Sequence, residues 1–326
     1  MKNKVLKELI LQKGSFVSGQ RLSINLKVSR TAVWKYINIL REEGYKIDSV
    51  SNKGYRLVEG PDPIMVDEIK DMLKTEFVGH KIIFMQEVNS TNDYAKQIAL
   101  NEGEGTIVIA EKQTGGKGRM GRRWVSPPGT GIWMTLVLKP ELHPSKVYQI
   151  TQAIAVAVAE AIWETCRLKA GIKWPNDIIV NGKKICGILT EMSAEPDLVY
   201  YIVVGIGINV NTGSEDIPDE IRDKASSLKV ELGRDVSRKE LLVHVAEHIE
   251  EVYKRFVSGG FGAIVYDCNR LSVVLDREVE VIGINCTYRG KALKIREDGV
   301  LLVETDHGIE EILSGDVSVR GVEGYV

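Results

Sequence analysis

The 326-residue chain is poor in cysteine, with four, and Cys166, Cys186, Cys268 and Cys286 form no CxxC pair. That excludes a disulfide scaffold and the common zinc spacings, and fits free thiols in a reducing compartment. Long apolar runs are lacking as well. The longest, Ile154 to Ile162, is too short to span a bilayer and contains Glu160, and the amino terminus shows no signal-peptide pattern. The expectation is a soluble, cytoplasmic protein with no membrane role. No internal repeat or low-complexity tract appears. Histidine is scarce. His244 and His248 share a helical i,i+4 spacing, but no third ligand or HExxH arrangement accompanies them, so they are read as a packed or solvated face. No motif suggests a Ser-His-Asp arrangement.

What the chain does have is an uneven charge. Its length allows two or three domains. The net charge of −2 divides into +7 over residues 1–60, with 12 Lys/Arg against 5 Asp/Glu, and −9 over the rest, with 31 against 40. A basic head on an acidic body points to a nucleic-acid-binding module joined to something else.

The head reads as three helices and a hairpin. Val5, Leu6, Leu9 and Ile10 mark a stripe that ends at Gly14. Ser18 caps a short helix carrying Leu22 and Leu26. Ser29 caps a third, with Val33, Ile37 and Leu40 inward and Arg30, Thr31, Lys35, Asn38 and Arg41 outward. That is a helix-turn-helix. Tyr45–Val50 and Gly54–Val58 then flank a turn and form a wing. Arg30, Thr31 and Lys35 are the groove candidates, and Lys53 and Arg56 the phosphate candidates. Trp34 fits either a DNA contact or packing on the neighbouring helix. A protein-interaction module with an incidental basic face is the competing account of the head.

Residues 59–63, Glu-Gly-Pro-Asp-Pro, read as a linker. Strands are expected over 81–87, 106–111, 131–139 and 199–209, and helices over 91–101 and 146–166. Asn181-Gly182 between apolar runs signals a hairpin. Ser237 and Glu240 make a capping box for a helix through Phe256. This is an α+β body built on a mixed sheet. From Leu271 the pattern changes to short strands at 278–282, 288–296, 300–304 and 309–313, which predict a small β-barrel or sandwich. The expected divisions are 1–60, 64–270 and 271–326.

Residues 113–124, Gln-Thr-Gly-Gly-Lys-Gly-Arg-Met-Gly-Arg-Arg-Trp, carry Lys117, Arg119, Arg122 and Arg123 on glycine-rich backbone with no acid inside the stretch. Such a loop suits a phosphoanhydride, although a solvated basic loop is the alternative. It is not a P-loop, because Glu111 stands at the first glycine position and Gly118 at that of the Ser/Thr.

This loop, together with Ser90-Thr91-Asn92 upstream, Lys173-Trp174-Pro175-Asn176-Asp177 and Lys184-Ile185-Cys186-Gly187-Ile188-Leu189 downstream, closely resembles the signatures of the biotin–protein ligases. The likeness covers the whole chain in that family's bifunctional form, with a winged helix-turn-helix head and a C-terminal SH3-like domain. It implies adenylation of biotin by MgATP to biotinyl-5'-AMP, then transfer to a lysine of a biotin carboxyl carrier domain. It also implies repression, with the adenylate as corepressor and an adenylate-bound homodimer on operator DNA.

By the same likeness Ser90, Thr91, Asn92 and Gln113 hold biotin, and Lys117, Gly118 and Arg119 wrap over it. Lys184 and Arg119 are the catalytic candidates, with Lys184 at the biotin carboxylate. Gly205 and Gly207 let backbone approach the bicyclic ring. Arg122, Arg123, Trp124, Asn176, Asp177 and Asn209 serve the nucleotide or pyrophosphate, with Asp177 also a Mg²⁺ candidate. A turn-capping carboxylate is the plainer role for Asp177. Lys183 is expected to be solvated and Cys186 to be a small core residue. Two positions depart from the pattern. Lys117 and Met120 stand where the signature often has arginine, so a bidentate fork is lost at one and a cation at the other. A lipoate-type acyl-adenylate ligase and a sensor repressor without catalysis remain as alternatives.

Overall fold

The computed structural model describes the chain except residues 13, 43, 61, 284–286, 316–317, 322–324 and 326, and except the side chains of Asn3 and Glu59. Pro61 of the expected linker and the thiol of Cys286 therefore lie outside the described residues. The chain forms two compact units, Met1–Asp62 and Pro63–Val326.

In the first unit, α1 (Lys2–Leu11), α2 (Gly19–Leu26) and α3 (Arg30–Glu42) pack through Val5, Leu9, Leu22, Val33, Ile37 and Leu40, all buried. The caps form as their sequence requires. Ser18 accepts from Arg21 N–H, and Ser29 Oγ accepts from Ala32 N–H at 3.1 Å. Lys27, at φ 53°, ends α2 in a left-handed turn and sets the α3 direction. Strands β1 (Lys46–Val50) and β2 (Gly54–Glu59) pair as the antiparallel wing. Gly54, at φ +104°, has no alternative, since a Cβ there would sit 2.1 Å from the Val17 carbonyl oxygen.

The second unit runs α4 (Val66–Met72), β3 (Ile82–Val88), α5 (Thr91–Ile98), β4 (Ile107–Gln113), β5 (Gly131–Leu138), α6 (Tyr148–Cys166), β6 (Gly171–Lys173), β7 (Asp177–Val180), β8 (Lys183–Ala194) and β9 (Val199–Asn209). Then come α7 (Leu228–Leu232), α8 (Arg238–Gly259), α9 (Val265–Leu271), β10 (Glu278–Ile282), β11 (Thr287–Ile295), β12 (Leu301–Thr305), β13 (Gly308–Ile312) and β14 (Ser318–Gly321). A seven-stranded mixed sheet has the order β3-β4-β5-β9-β8-β7-β6, with β3 and β4 parallel and the other pairs antiparallel. Helix α5 packs on one face through Ala95 and Ala99 against Val108, Val137 and Val203. Helix α6 lies in the main core with α8, which explains why it is apolar all round. Each buried Ile or Val there contributes about 1.5–3 kcal/mol.

Two of the buried polar residues on α6, Gln149 and Gln152, donate to the carbonyls of Asp298 and Gly299 at 2.8 and 2.9 Å. They tie the helix to the five-stranded antiparallel sheet β13-β12-β11-β10-β14, the SH3-like tail. Asn181 and Gly182, at φ 50° and 78°, turn β7 into β8 as the dipeptide requires. The short elements α4, β6, α7, α9 and β14 were not anticipated, and α5 ends at Ile98, before the expected Asn101.

Candidate active site

A cavity opens where the N-terminus of α5, the end of β4, the basic loop and strands β8 and β9 converge. Ser90, Thr91, Asn92, Gln113, Lys117, Gly118, Arg119, Trp124, Asn176, Lys184, Gly205 and Gly207 line it, with Met134, Gly187, Ile188, Leu189 and Ile206. The first three stand there because Ser90 caps α5, accepting from Asp93 N–H at 3.3 Å. That cap uses an acceptor lone pair and leaves the Ser90 O–H free to donate.

One wall is a connected polar network. Gln113 Oε1 accepts from Thr91 N–H at 2.8 Å, and Gln113 Nε2 donates to Ser126 Oγ at 2.9 Å. Thr135, fully buried on β5, places Oγ1 2.6 Å from Asn92 Oδ1 and 2.8 Å from Thr91 Oγ1. Asn92 Nδ2 in turn donates to Glu191 at 2.8 Å.

The opposite wall is cationic. The Lys184 ammonium lies 2.6 Å from Asp177 Oδ1 and 5.2 Å from the centroid of the Trp124 ring. Tyr325 O–H donates to Asp177 Oδ2 at 2.7 Å. Burial alone would raise the Asp177 carboxyl, but Lys184 and the Tyr325 hydrogen bond hold it below the usual carboxylate range. Lys173 is buried beside it, its ammonium 3.3 Å from the Tyr325 ring centroid, and burial pushes its pKa down to about 8 against the opposing pull of Asp177. Gly187 is required here. A Cβ would meet Lys184 Cε and Nζ at 3.1 Å and Trp124 at 2.9 Å, so the bare backbone is the floor on which both side chains rest.

The basic loop is ordered by its own backbone. Trp124 N–H donates to Gly116 O at 2.9 Å, Gly118 N–H to Arg122 O at 2.7 Å, and Met120 takes a left-handed φ of 56°. Arg119 donates to Asn176 Oδ1 at 2.9 Å and to the Gly315 carbonyl. The loop has no acid of its own, yet Lys117 is neutralised by Asp93 at 2.7 Å. Lys96 lies 3.1 Å from Asp93 and 2.8 Å from Glu191, continuing the chain of charges.

Some expected site residues stand elsewhere. Arg122 and Arg123 are exposed and do not line the cavity. Asn209 does not line it either, and its amide donates to Ser226 O at 3.1 Å. Gly205 and Gly207 line the cavity, but the space over them is filled by protein: a Cβ would meet Asn92 Oδ1 at 2.3 Å at one and the Trp124 indole at 2.6 Å at the other. Asp177 has Oδ1 in an ion pair with Lys184 and Oδ2 bonded by Tyr325, and among the described residues no group of three His, Cys, Asp or Glu is placed to hold a metal ion, so the donor set as arranged does not fit Mg²⁺. Lys183 is half-buried rather than solvated. Cys186 is a core residue, fully buried, with its thiol pushed up by burial. His248 pairs with Glu164 at 2.7 Å, and His244 Nδ1 lies 2.8 Å from Thr165 Oγ1.

In the first unit Arg30, Thr31, Lys35 and Lys53 are exposed, and Trp34 is 56% exposed, which disfavours packing on a neighbouring helix. Arg56 is engaged within the unit, 2.5 Å from Asp48 and stacked 4.7 Å from the Phe16 ring centroid.

Residues 84–209 match the biotin/lipoate A/B protein ligase family, residues 2–56 an HTH domain, and residues 274–320 the biotin protein ligase C terminal domain. The bifunctional ligase/repressor BirA of Bacillus spizizenii is 44% identical over 318 residues, 97% of this chain and 98% of its own. Its counterpart in Escherichia coli is 28% identical over 314 residues, 96% of each. The biotin protein ligase from Aquifex aeolicus in complex with biotin and ATP aligns with a TM-score of 0.66 at 35% identity, over 74% of this chain and 99% of that one. This chain belongs to the bifunctional biotin protein ligases.

Sequence reading missed several residues that build the ligase's cavity. Gly187 lay inside a quoted motif, but its role as a floor needs the Lys184 path. Lys173 likewise lay inside a quoted motif, but its partner Tyr325 is 152 positions away. Thr135, Asp93 and Tyr325 carry no signature, because the partners that tie them to the site, Asn92, Lys117 and Asp177, are 43, 24 and 148 positions away.

Proposed function

We propose that this ligase joins biotin to ATP, forming biotinyl-5'-AMP and pyrophosphate, and then passes biotin to a lysine of a biotin carboxyl carrier domain. In the first step a biotin carboxylate oxygen bonds to the α-phosphorus and the bond to the pyrophosphate oxygen breaks. In the second the lysine amine bonds to the acyl carbon and AMP leaves with the electron pair. Mg²⁺ enters this scheme as part of MgATP. The proposed boundaries are 1–60 for the DNA-binding head, 64–270 for the catalytic part and 271–326 for the SH3-like tail, and the proposed compartment is the cytoplasm.

The observation that carries the reading is one ammonium, Lys184, held by a half-buried carboxylate at the wall of a cavity that also presents the neutral hydrogen-bonding side chains of Ser90, Thr91 and Gln113. A neutral donor–acceptor wall suits a ureido ring, through Ser90, Thr91 and Gln113. The fixed cation suits the carboxylate at the far end of the same molecule and the phosphate it attacks. Lys117, Gly118 and Arg119 then close over the adenylate and keep water from the anhydride. Arg122 and Arg123, exposed on the same loop outside the cavity, are the proposed contacts for departing pyrophosphate, and Trp124 and Asn176, which line the cavity, the proposed contacts on the nucleotide side.

The head makes the adenylate a signal as well as an intermediate. Arg30, Thr31 and Lys35 would read a groove, with Lys53 and Arg56 on phosphate. A twofold dimer presents two such helices to an operator with two half-sites. The deciding experiment is ATP–pyrophosphate exchange with biotin, lipoate or octanoate as the acid. Exchange with biotin alone is expected. Exchange with lipoate or octanoate instead would move the ligase to a sister class, and exchange with none would leave a sensor repressor. Operator affinity and self-association that ignore biotinyl-AMP would remove the coupling.

A further inference from the structure

Two lysines, the buried Lys173 and the half-buried Lys184, lie near the one carboxylate of Asp177, and only Lys184 is ion-paired with it. Lys184 holds Oδ1 at 2.6 Å. Lys173 feels the same carboxylate, and is repelled by Lys184, Arg320 and Arg122. A carboxylate free to turn about its own bond would be drawn toward both cations, and every turn toward Lys173 takes it off Lys184.

Tyr325, the penultimate residue, meets both sides of this competition. Its O–H fixes Oδ2 at 2.7 Å, and its ring lies 3.3 Å from the Lys173 ammonium, giving that cation a π-face in place of the carboxylate. Burial and the neighbouring Asp177 hold the phenol above its ordinary range, so it remains a donor. Asp177 does not line the cavity, whereas Lys184 does.

We propose that Tyr325 is a positioning residue for adenylation: it diverts Lys173 from Asp177 and pins the carboxylate so that Lys184 is presented to the biotin carboxylate and the α-phosphate. Tyr325 thereby supports, from the C-terminal part of the chain, a cavity lined by the seven-stranded sheet, the α5 start and their loops. The proposal rests on the role given to Lys184 above.

The test is biotin-dependent ATP–pyrophosphate exchange on the full chain, with biotin binding and thermal unfolding measured on each variant. Tyr325→Phe keeps the ring and removes the hydroxyl, and should lower kcat about fivefold. Tyr325→Leu removes both and should lower it by up to about 100-fold, since a misplacement near 1 Å costs that much. KM for biotin should stay within about twofold, because the ureido wall is untouched. The decisive arm is a double-mutant cycle. If Lys173 is the competitor, Tyr325→Leu should cost far less kcat in a Lys173→Met background than in the native chain.

An equal cost in both backgrounds overturns the proposal, as does native kcat in Tyr325→Leu. So does a loss that tracks the unfolding midpoint. Should Tyr325→Leu fail to fold, Tyr325→Phe, which preserves packing, decides: full activity overturns the proposal, and a kcat loss with unchanged biotin KM supports it. Lys184→Ala separates the two readings. If that variant exchanges normally, the role of Lys184 fails whatever the Tyr325 variants do.

Discussion

On the side of Ser90, Thr91, Asn92 and Gln113 the cavity is walled by neutral side chains fixed by hydrogen bonds to one another, to the α5 N-terminus and to the buried Thr135 behind them. On the side of Lys117, Arg119 and Lys184 it is walled by long cationic side chains reaching from a loop and a strand, held by Asp93, Asn176 and Asp177. The first wall has few rotamers to lose and is preformed for a neutral, rigid ring. The second is ordered by ion pairs between groups that could also pair with incoming phosphate, so a ligand can exchange one set of partners for another. A ligase that must grip an acid, admit a trianion, and then open to a carrier lysine needs this division between a fixed half and an exchangeable half.

Breaking the exchangeable half at its centre should have the largest effect. Lys184→Ala should reduce pyrophosphate exchange by about 10²–10³-fold, the usual effect of deleting one preorganised donor at developing charge. Its cost in folding should stay at about 1–3 kcal/mol, from removing the ion-pair partner of Asp177. Equal losses of activity and stability would remove the catalytic role. Next comes Arg119→Gly, which cuts the bonds to Asn176 and to the Gly315 carbonyl that hold the loop against the tail. Release of biotinyl-AMP, followed in a spin column, should quicken by roughly 10-fold or more. Unchanged retention would contradict the clamp.

The fixed half is probed by Thr135→Val, which removes a buried hydroxyl serving Asn92 and Thr91. About 1–2 kcal/mol of lost hydrogen bonding should appear as a roughly tenfold weaker biotin affinity, with kcat changed much less. An effect on kcat alone would mean that the two halves are not separable. That wall was only half legible in the sequence. Ser90, Thr91, Asn92 and Gln113 stood out because a capped helix start and a quoted signature mark them. Thr135 is one hydroxyl in an apolar strand, and its meaning depends on β5 lying opposite α5. The larger elements were legible because each is marked locally: the Asn181-Gly182 turn, the Ser237 cap, the apolar α6. The short ones were not, since β6, β14 and α4 are stabilised by neighbours rather than by their own pattern. Contacts closed by the far end of the chain, such as Tyr325 on Asp177, leave no local trace at all.

The smallest effect should come from the rim, where Lys117 meets Asp93. The Lys117 side chain is 48% exposed, so screening limits the pair to about 0.2–1 kcal/mol, or at most roughly a fivefold change. Burial would raise the Asp93 carboxyl, but hydrogen bonds from Lys117 and Lys96 hold it below its ordinary range. A depressed carboxyl contributes its stabilisation above the ordinary carboxylate pKa and loses it as pH falls through that range, so the latch is complete at neutral pH. Asp93→Asn should therefore quicken biotinyl-AMP release only a few-fold at neutral pH, and the difference from the native ligase should shrink with added salt. A loss as large as that of Arg119→Gly, or one indifferent to salt, would show that Asp93 acts through the α5 start and the fixed wall rather than through the loop. That outcome would move the border between the two halves from the rim into the helix.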